Sequence, residues 1–63
     1  MAVSAVDIAK HLSGIDFPAN KQDLISHARD KNASQEIIDT LQQMPEREYR
    51  NMADVEKGFG EVK

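Results

Sequence analysis

His11 follows Asp7 by four residues, and His27 follows Asp23 by the same interval. Residues four apart share a helix face, so each histidine would sit one turn above a carboxylate. Two such helices packed face to face would offer two imidazoles and two carboxylates to zinc or another divalent ion. Capping explains the same residues more simply. Ser4-x-x-Asp7, Asn20-x-x-Asp23 and Asn51-x-x-Asp54 are helix starts: a side-chain oxygen accepts from an otherwise orphaned amide, and a carboxylate three residues on reaches back. The acid also sits favourably on the positive helix end, and a histidine in the last turn suits the negative one. No metal is therefore expected.

Nucleophilic chemistry has less to work with. The chain has no cysteine. Ser4 and Ser34 are positioned as caps, while Ser13 and Ser26 have no identifiable base or oxyanion donor. Gly58-Phe59-Gly60 falls near the end of the sequence instead of joining a strand to a helix, so it is no phosphate-cradling loop. A catalytic pocket would also consume a core that 63 residues can hardly spare. The expectation is a protein that is not an enzyme and has no cofactor and no small-molecule substrate.

Charge sets the next bound. Eight basic and eleven acidic residues give a net charge of −3, without a long block of either sign. Phosphate-backbone binding usually needs a basic face, and here Lys21, Arg29 and Lys31 are interleaved with Asp23 and Asp30. The apolar run from Val3 to Leu12 is too short to span a membrane and carries Asp7, Lys10 and His11. No membrane role is expected, and the expected location is the cytoplasm.

The elements that must position these residues are four short helices, which make the fold class all-α: one compact bundle over residues 1–63, with an ordered core from about 4 to 60. The first runs from Ala5 to Leu12, with Ala5, Ile8, Ala9 and Leu12 on one stripe and Val6 off it, and Gly14 stops it. Pro18 keeps Ile15-Asp16-Phe17-Pro18-Ala19 out of helix, so that segment is a linker anchored by Ile15 and Phe17 while Asp16 stays wet. The second helix spans Lys21 to Lys31, with Leu24, Ile25 and Ala28 inward, Ala19 and Leu24 placed as a hydrophobic staple, and Asn32 ending it in a left-handed turn. Ser34 caps a third helix carrying Ile37, Ile38 and Leu41, which Pro45 ends after Met44. Glu46-Arg47-Glu48-Tyr49-Arg50 is expected as an irregular strap with Tyr49 tucked inward. Asn51 caps a fourth helix bearing Met52, Val55, Phe59 and Val62, which Gly58 and Gly60 should fray. The expected core is Ile8, Leu12, Phe17, Leu24, Ile25, Ile38, Leu41, Tyr49, Val55 and Phe59.

Ser4-x-x-Asp7-Ile8-x-x-His11 matches Asn20-x-x-Asp23-Leu24-x-x-His27 at an offset of sixteen residues. Convergent capping accounts for this better than duplication, because a unit that short cannot support itself.

Phe17, Pro18, Ala19, Lys21, Asp23, Leu24 and Ala28, followed by Leu41, Met44, Pro45, Tyr49, Asp54 and Val55, form a wider pattern. It is a Pro-Ala segment leading into a helix, a Leu-x-x-(Leu or Met)-Pro stretch, an aromatic, and an Asp-Val helix. From about Val6 to Gly60 the chain resembles a family of small bacterial proteins defined only as a domain of unknown function. The resemblance implies a compact, mostly helical unit that occurs alone or in tandem, and it brings no activity or cofactor with it. Met44 stands where leucine is often found, a change that should alter packing more than fold.

Two functional expectations of different class follow. The first is a protein-interaction module, binding a protein partner or a second copy of itself, with Val6, Met52, Phe59 and Val62 as the apolar side chains a small bundle leaves uncovered. The alternative is a helix-turn-helix-like regulatory module in which the second helix enters a groove, Lys21, Arg29 and Lys31 meeting nucleic acid and Ser26, His27 and Asn32 beside them. The acidic balance weighs against it.

Overall fold

A computed structural model describes residues 3–62. It holds helices α1 (Ala5–His11), α2 (Lys21–Asp30), α3 (Gln35–Gln43) and α4 (Met52–Gly60), with no strand among the described residues. The fold is an all-α bundle, as expected. The expected domain span of 1–63 takes in residues 1, 2 and 63, which lie outside the described residues.

The helices begin where side chains can satisfy their first amides. The Ser4 hydroxyl accepts from the Asp7 amide at 3.2 Å, and Asp7 Oδ2 accepts from the Ser4 amide at 3.2 Å. Asn20 and Asp23 make the same reciprocal pair at 2.8 and 3.1 Å. At α4 the Asn51 side chain accepts from the Asp54 amide at 2.9 Å, while Asp54 reaches one residue further back, to the Arg50 amide at 3.0 Å. Ser34 departs from expectation: it occupies the cap position of α3 with extended backbone, but its side chain makes no cap hydrogen bond. No carboxylate stands three residues on to complete a box, because Ile37 is there and is buried.

The ends are equally local. Asn32 has φ of 61°. Its amide donates to Arg29 O at 2.9 Å and the Ala33 amide to Ala28 O at 3.0 Å, the paired bonds of a left-handed helix stop. Gly14, at φ 83°, turns the chain after α1. Leu12 and Lys31, expected as last helical residues, are the C-caps of α1 and α2.

α2 lies chiefly against α3, and α1 against α4. The core between them is Ile8, Leu12, Ala19, Leu24, Ile25, Ala28, Ile37, Ile38, Leu41, Met44, Tyr49 and Val55. Ala19 and Leu24 are both buried at the staple positions. Phe17 and Phe59, expected inside, are half-buried residues packed on the rim. For Phe59 the cause is its neighbour. Gly58, not Phe59, faces inward beside Val55, and the Tyr49 ring fills the space that a side chain at 58 would take.

That corrects the expectation that Gly58 frays α4. The helix continues through Gly58 to Gly60, and Gly58 is buried. A Cβ at 58 would stand 2.8 Å from Tyr49 Cε1 and 3.1 Å from Met44 Cε, so glycine is required by close approach.

The strap keeps Tyr49 inside, as expected, by a connection the sequence did not announce. Ala19 and Tyr49 form an isolated antiparallel bridge: the Ala19 amide donates to Tyr49 O at 2.8 Å and the Tyr49 amide to Ala19 O at 2.7 Å. This ties the linker before α2 to the strap before α4. The Phe17–Pro18 peptide bond just before it is cis.

Candidate functional site

Val6 lies two residues before the buried Ile8, hence on the opposite side of α1. It is 74% exposed, the one large apolar side chain so placed among the described residues. Met52 at the start of α4, Phe59 near its end and Val62 just beyond are half-buried and rest on the core. The four expected surface residues thus divide into one that is uncovered and three that form part of the rim of the bundle. Val3 and Ile15 are rim residues of the same kind.

The three basic residues of the nucleic-acid alternative also divide. Lys21 Nζ donates to Gln42 O at 2.6 Å and lies 3.4 Å from Met44 O, with Glu46 at 3.7 Å. Its side chain is only 17% exposed, so its charge is spent on the carbonyl end of α3. Arg29 and Lys31 are exposed at the end of α2.

The histidines are anchored separately. His11 Nδ1 lies 2.9 Å from Asp7 O, and His27 Nε2 lies 2.9 Å from Ser13 O. A carbonyl only accepts, so each of these nitrogens carries the proton and donates. α1 and α2 are not a principal packing pair. Among the described residues no group of three or more His, Asp or Glu side chains is placed to hold a metal ion.

Two open clefts of about 400 Å³ each mark the surface. One, on the outer side of α2, is lined by Ile15, Pro18, Asp16, Asp23, Asp30 and His27, with Ser26 beside them. The other lies between the strap and α4 and is lined almost wholly by charge: Arg47, Glu48, Arg50, Asp54 and Lys57. Arg47 Nη2 donates to Glu61 Oε2 at 2.6 Å, and its guanidinium stands 5.7 Å over the Tyr49 ring. The hydrogen bond to Glu61 raises the Arg47 pKa above its ordinary value. Burial raises that of Tyr49, against a smaller lowering by Arg47. The Tyr49 hydroxyl donates to Pro45 O at 2.6 Å.

This Arg47–Tyr49–Glu61 cluster and the cleft beside it were not legible as a site in the sequence. Glu46-Arg47-Glu48-Tyr49-Arg50 shows alternating charge around one aromatic, which reads as an irregular strap with Tyr49 tucked inward and no site. Only the fold brings Lys57 and Glu61 from α4 and its end to the same place.

Comparison with known proteins returns no matching curated protein and no matching solved structure. A family model, Protein of unknown function (DUF2795), matches residues 3–56. That span takes in α1, α2, α3, the strap and the first half of α4, so the match covers the elements that build the core. The chain belongs to this family, DUF2795, a small domain of unknown function.

Proposed function

We propose that the chain is a non-catalytic protein-interaction module of a bacterial cytoplasm that associates with a second copy of itself through Val6 on α1 together with Met52, Phe59 and Val62 on and beside α4. The observation that carries this is Val6, 74% exposed on the outer side of a helix whose other large apolar side chain, Ile8, is fully buried. In a 63-residue chain nearly every large apolar side chain is needed inside. Burying a valine against a partner stabilises by about 1.5–3 kcal/mol relative to leaving it in water. Phe59 on α4, the helix packed against α1, and Val62 just beyond its end are half-covered and add apolar area available to a partner. No helix among the described residues is long and apolar enough to cross a membrane, and the chain's lack of cysteine is compatible with a reducing compartment.

The nucleic-acid alternative gains no observation. Its three cations do not act together, because Lys21 is committed to α3 carbonyls.

Size-exclusion chromatography with light scattering, over a hundredfold range of concentration, tests the proposal. The parent chain should rise in mass with concentration, and a Val6→Asp variant with an unchanged melting curve should stay monomeric. A strictly monomeric parent at the highest concentration overturns self-association.

A further inference from the structure

The cleft between the strap and α4 gathers three cations on a chain that is negative overall. Arg47, Arg50 and Lys57 line it together with Glu48 and Asp54, against a net charge of −3 for the whole. Its carboxylates are already engaged. Asp54 accepts from the Arg50 amide at 3.0 Å as part of the α4 start, and Glu48 is loosely paired with the Arg50 side chain at 3.7 Å. Arg47 is held by Glu61 and by the Tyr49 ring. That fixes its plane while leaving further N–H donors of the guanidinium for a second acceptor. Lys57 has no hydrogen bond or ion pair among the described residues.

We infer that this cleft is an anion site for a phosphate monoester, with Lys57 and Arg50 as its principal contacts and Arg47 as a preset third donor. A single carboxylate brings two acceptor oxygens, too few to meet three cations at once. A phosphate monoester brings a charge of about −1.5 to −2 at pH 7 and three acceptor oxygens, one for each cation. Guanidinium groups meet such oxygens with paired N–H donors, and the ammonium meets them as a point charge. None of the cleft's lining residues is among Val6, Met52, Phe59 and Val62, so substitutions in the one surface test it without removing a side chain of the other.

The test uses the full chain, ¹⁵N-labelled, titrated at constant ionic strength with inorganic phosphate, then with a short phosphoserine peptide and its unphosphorylated counterpart. Saturable shifts should appear at backbone amides from Arg47 to Lys57, with a Kd on the order of millimolar for inorganic phosphate. Lys57→Gln and Arg50→Gln, both at exposed positions, should each weaken binding by about fivefold or more, a loss of one charge-assisted contact, with melting curves unchanged. Tighter binding of the phosphopeptide than of inorganic phosphate assigns the ligand to a phosphorylated chain; equal binding assigns it to a free phosphorylated small molecule. Shifts that do not saturate, that chloride reproduces, or that survive both substitutions overturn the site.

Discussion

Tyr49 lies with its ring edge against the backbone of Gly58, where a Cβ would come within 2.8 Å of Tyr49 Cε1 and 3.1 Å of its hydroxyl oxygen. The ring has little room to retreat. Its backbone is bridged to Ala19 on both sides, its hydroxyl is tied to Pro45, and its side chain is fully buried. Helix propensity alone favours alanine over glycine by about 1 kcal/mol, but forcing a methyl into a filled core costs typically about 1–3 kcal/mol.

Gly58→Ala should therefore destabilise the fold even though it adds a better helix former. Gly60 supplies the control, because a Cβ there meets nothing within 4 Å. Gly60→Ala should leave stability unchanged or raise it by up to about 1 kcal/mol. Urea unfolding of the two variants checks the pair. Equal effects of the two substitutions would contradict the close approach.

Tyr49→Phe keeps the ring and removes the 2.6 Å bond to Pro45 O. Loss of such a bond costs about 1 kcal/mol near neutral pH. Burial raises the Tyr49 pKa from its ordinary 10.0, so the folded state binds the phenolic proton more tightly than the unfolded one. The stability this contributes is fully present below pH 10 and is lost as pH rises through the folded value. Urea unfolding from pH 8 to pH 11 should show the parent losing its advantage over Tyr49→Phe at the alkaline end. A gap that widens with pH would reverse the sign and refute the burial argument.

Three of the four helix starts carry side-chain caps and one does not. Ser4→Ala, Asn20→Ala and Asn51→Ala should each cost about 1 kcal/mol, whereas Ser34→Ala should cost only a few tenths. The ordering is what matters, and chemical denaturation of the four variants reads it directly. A Ser34→Ala loss as large as that of Asn20→Ala would show a cap bond that the geometry does not contain.

These caps also mark how far the sequence could be read. Ser4, Asn20, Asn51, Gly14, Asn32 and Pro45 place the helix ends within a residue or so, because each acts on backbone groups a few positions away. The buried faces of α2 and α3 follow from spacing alone. The bridge between Ala19 and Tyr49, the glycine under the ring, and the meeting of Arg47 with Glu61 join residues between nine and thirty apart, and no local preference encodes such encounters. Phe59 shows the same limit. Its periodicity fits an inward face, but the inward space beside Val55 belongs to Tyr49, so the smaller neighbour faces the core. The candidate surface was legible only at Val6, whose exposure follows from its position on a seven-residue helix; the charged cleft depends wholly on tertiary contact.

Lys21 shows a charge spent on structure. From the first turn of α2 its ammonium reaches Gln42 O at 2.6 Å, with Met44 O at 3.4 Å, and so caps the carbonyl end of α3. The neighbouring Glu46 is 78% exposed and stands 3.7 Å away, a surface pairing of the kind that contributes little. Lys21→Met keeps the buried stem and removes the donor, which should cost about 1–2 kcal/mol for a charge-assisted bond at a helix end. Glu46→Gln should be near neutral. Because the stabilising contact is a short hydrogen bond to a carbonyl, the Lys21→Met loss should persist in high salt, where a surface ion pair would be screened. Urea unfolding at low and high ionic strength separates the two. A loss that vanishes in salt, or one matched by Glu46→Gln, would mean the ion pair carries the interaction and leave the end of α3 without its cation.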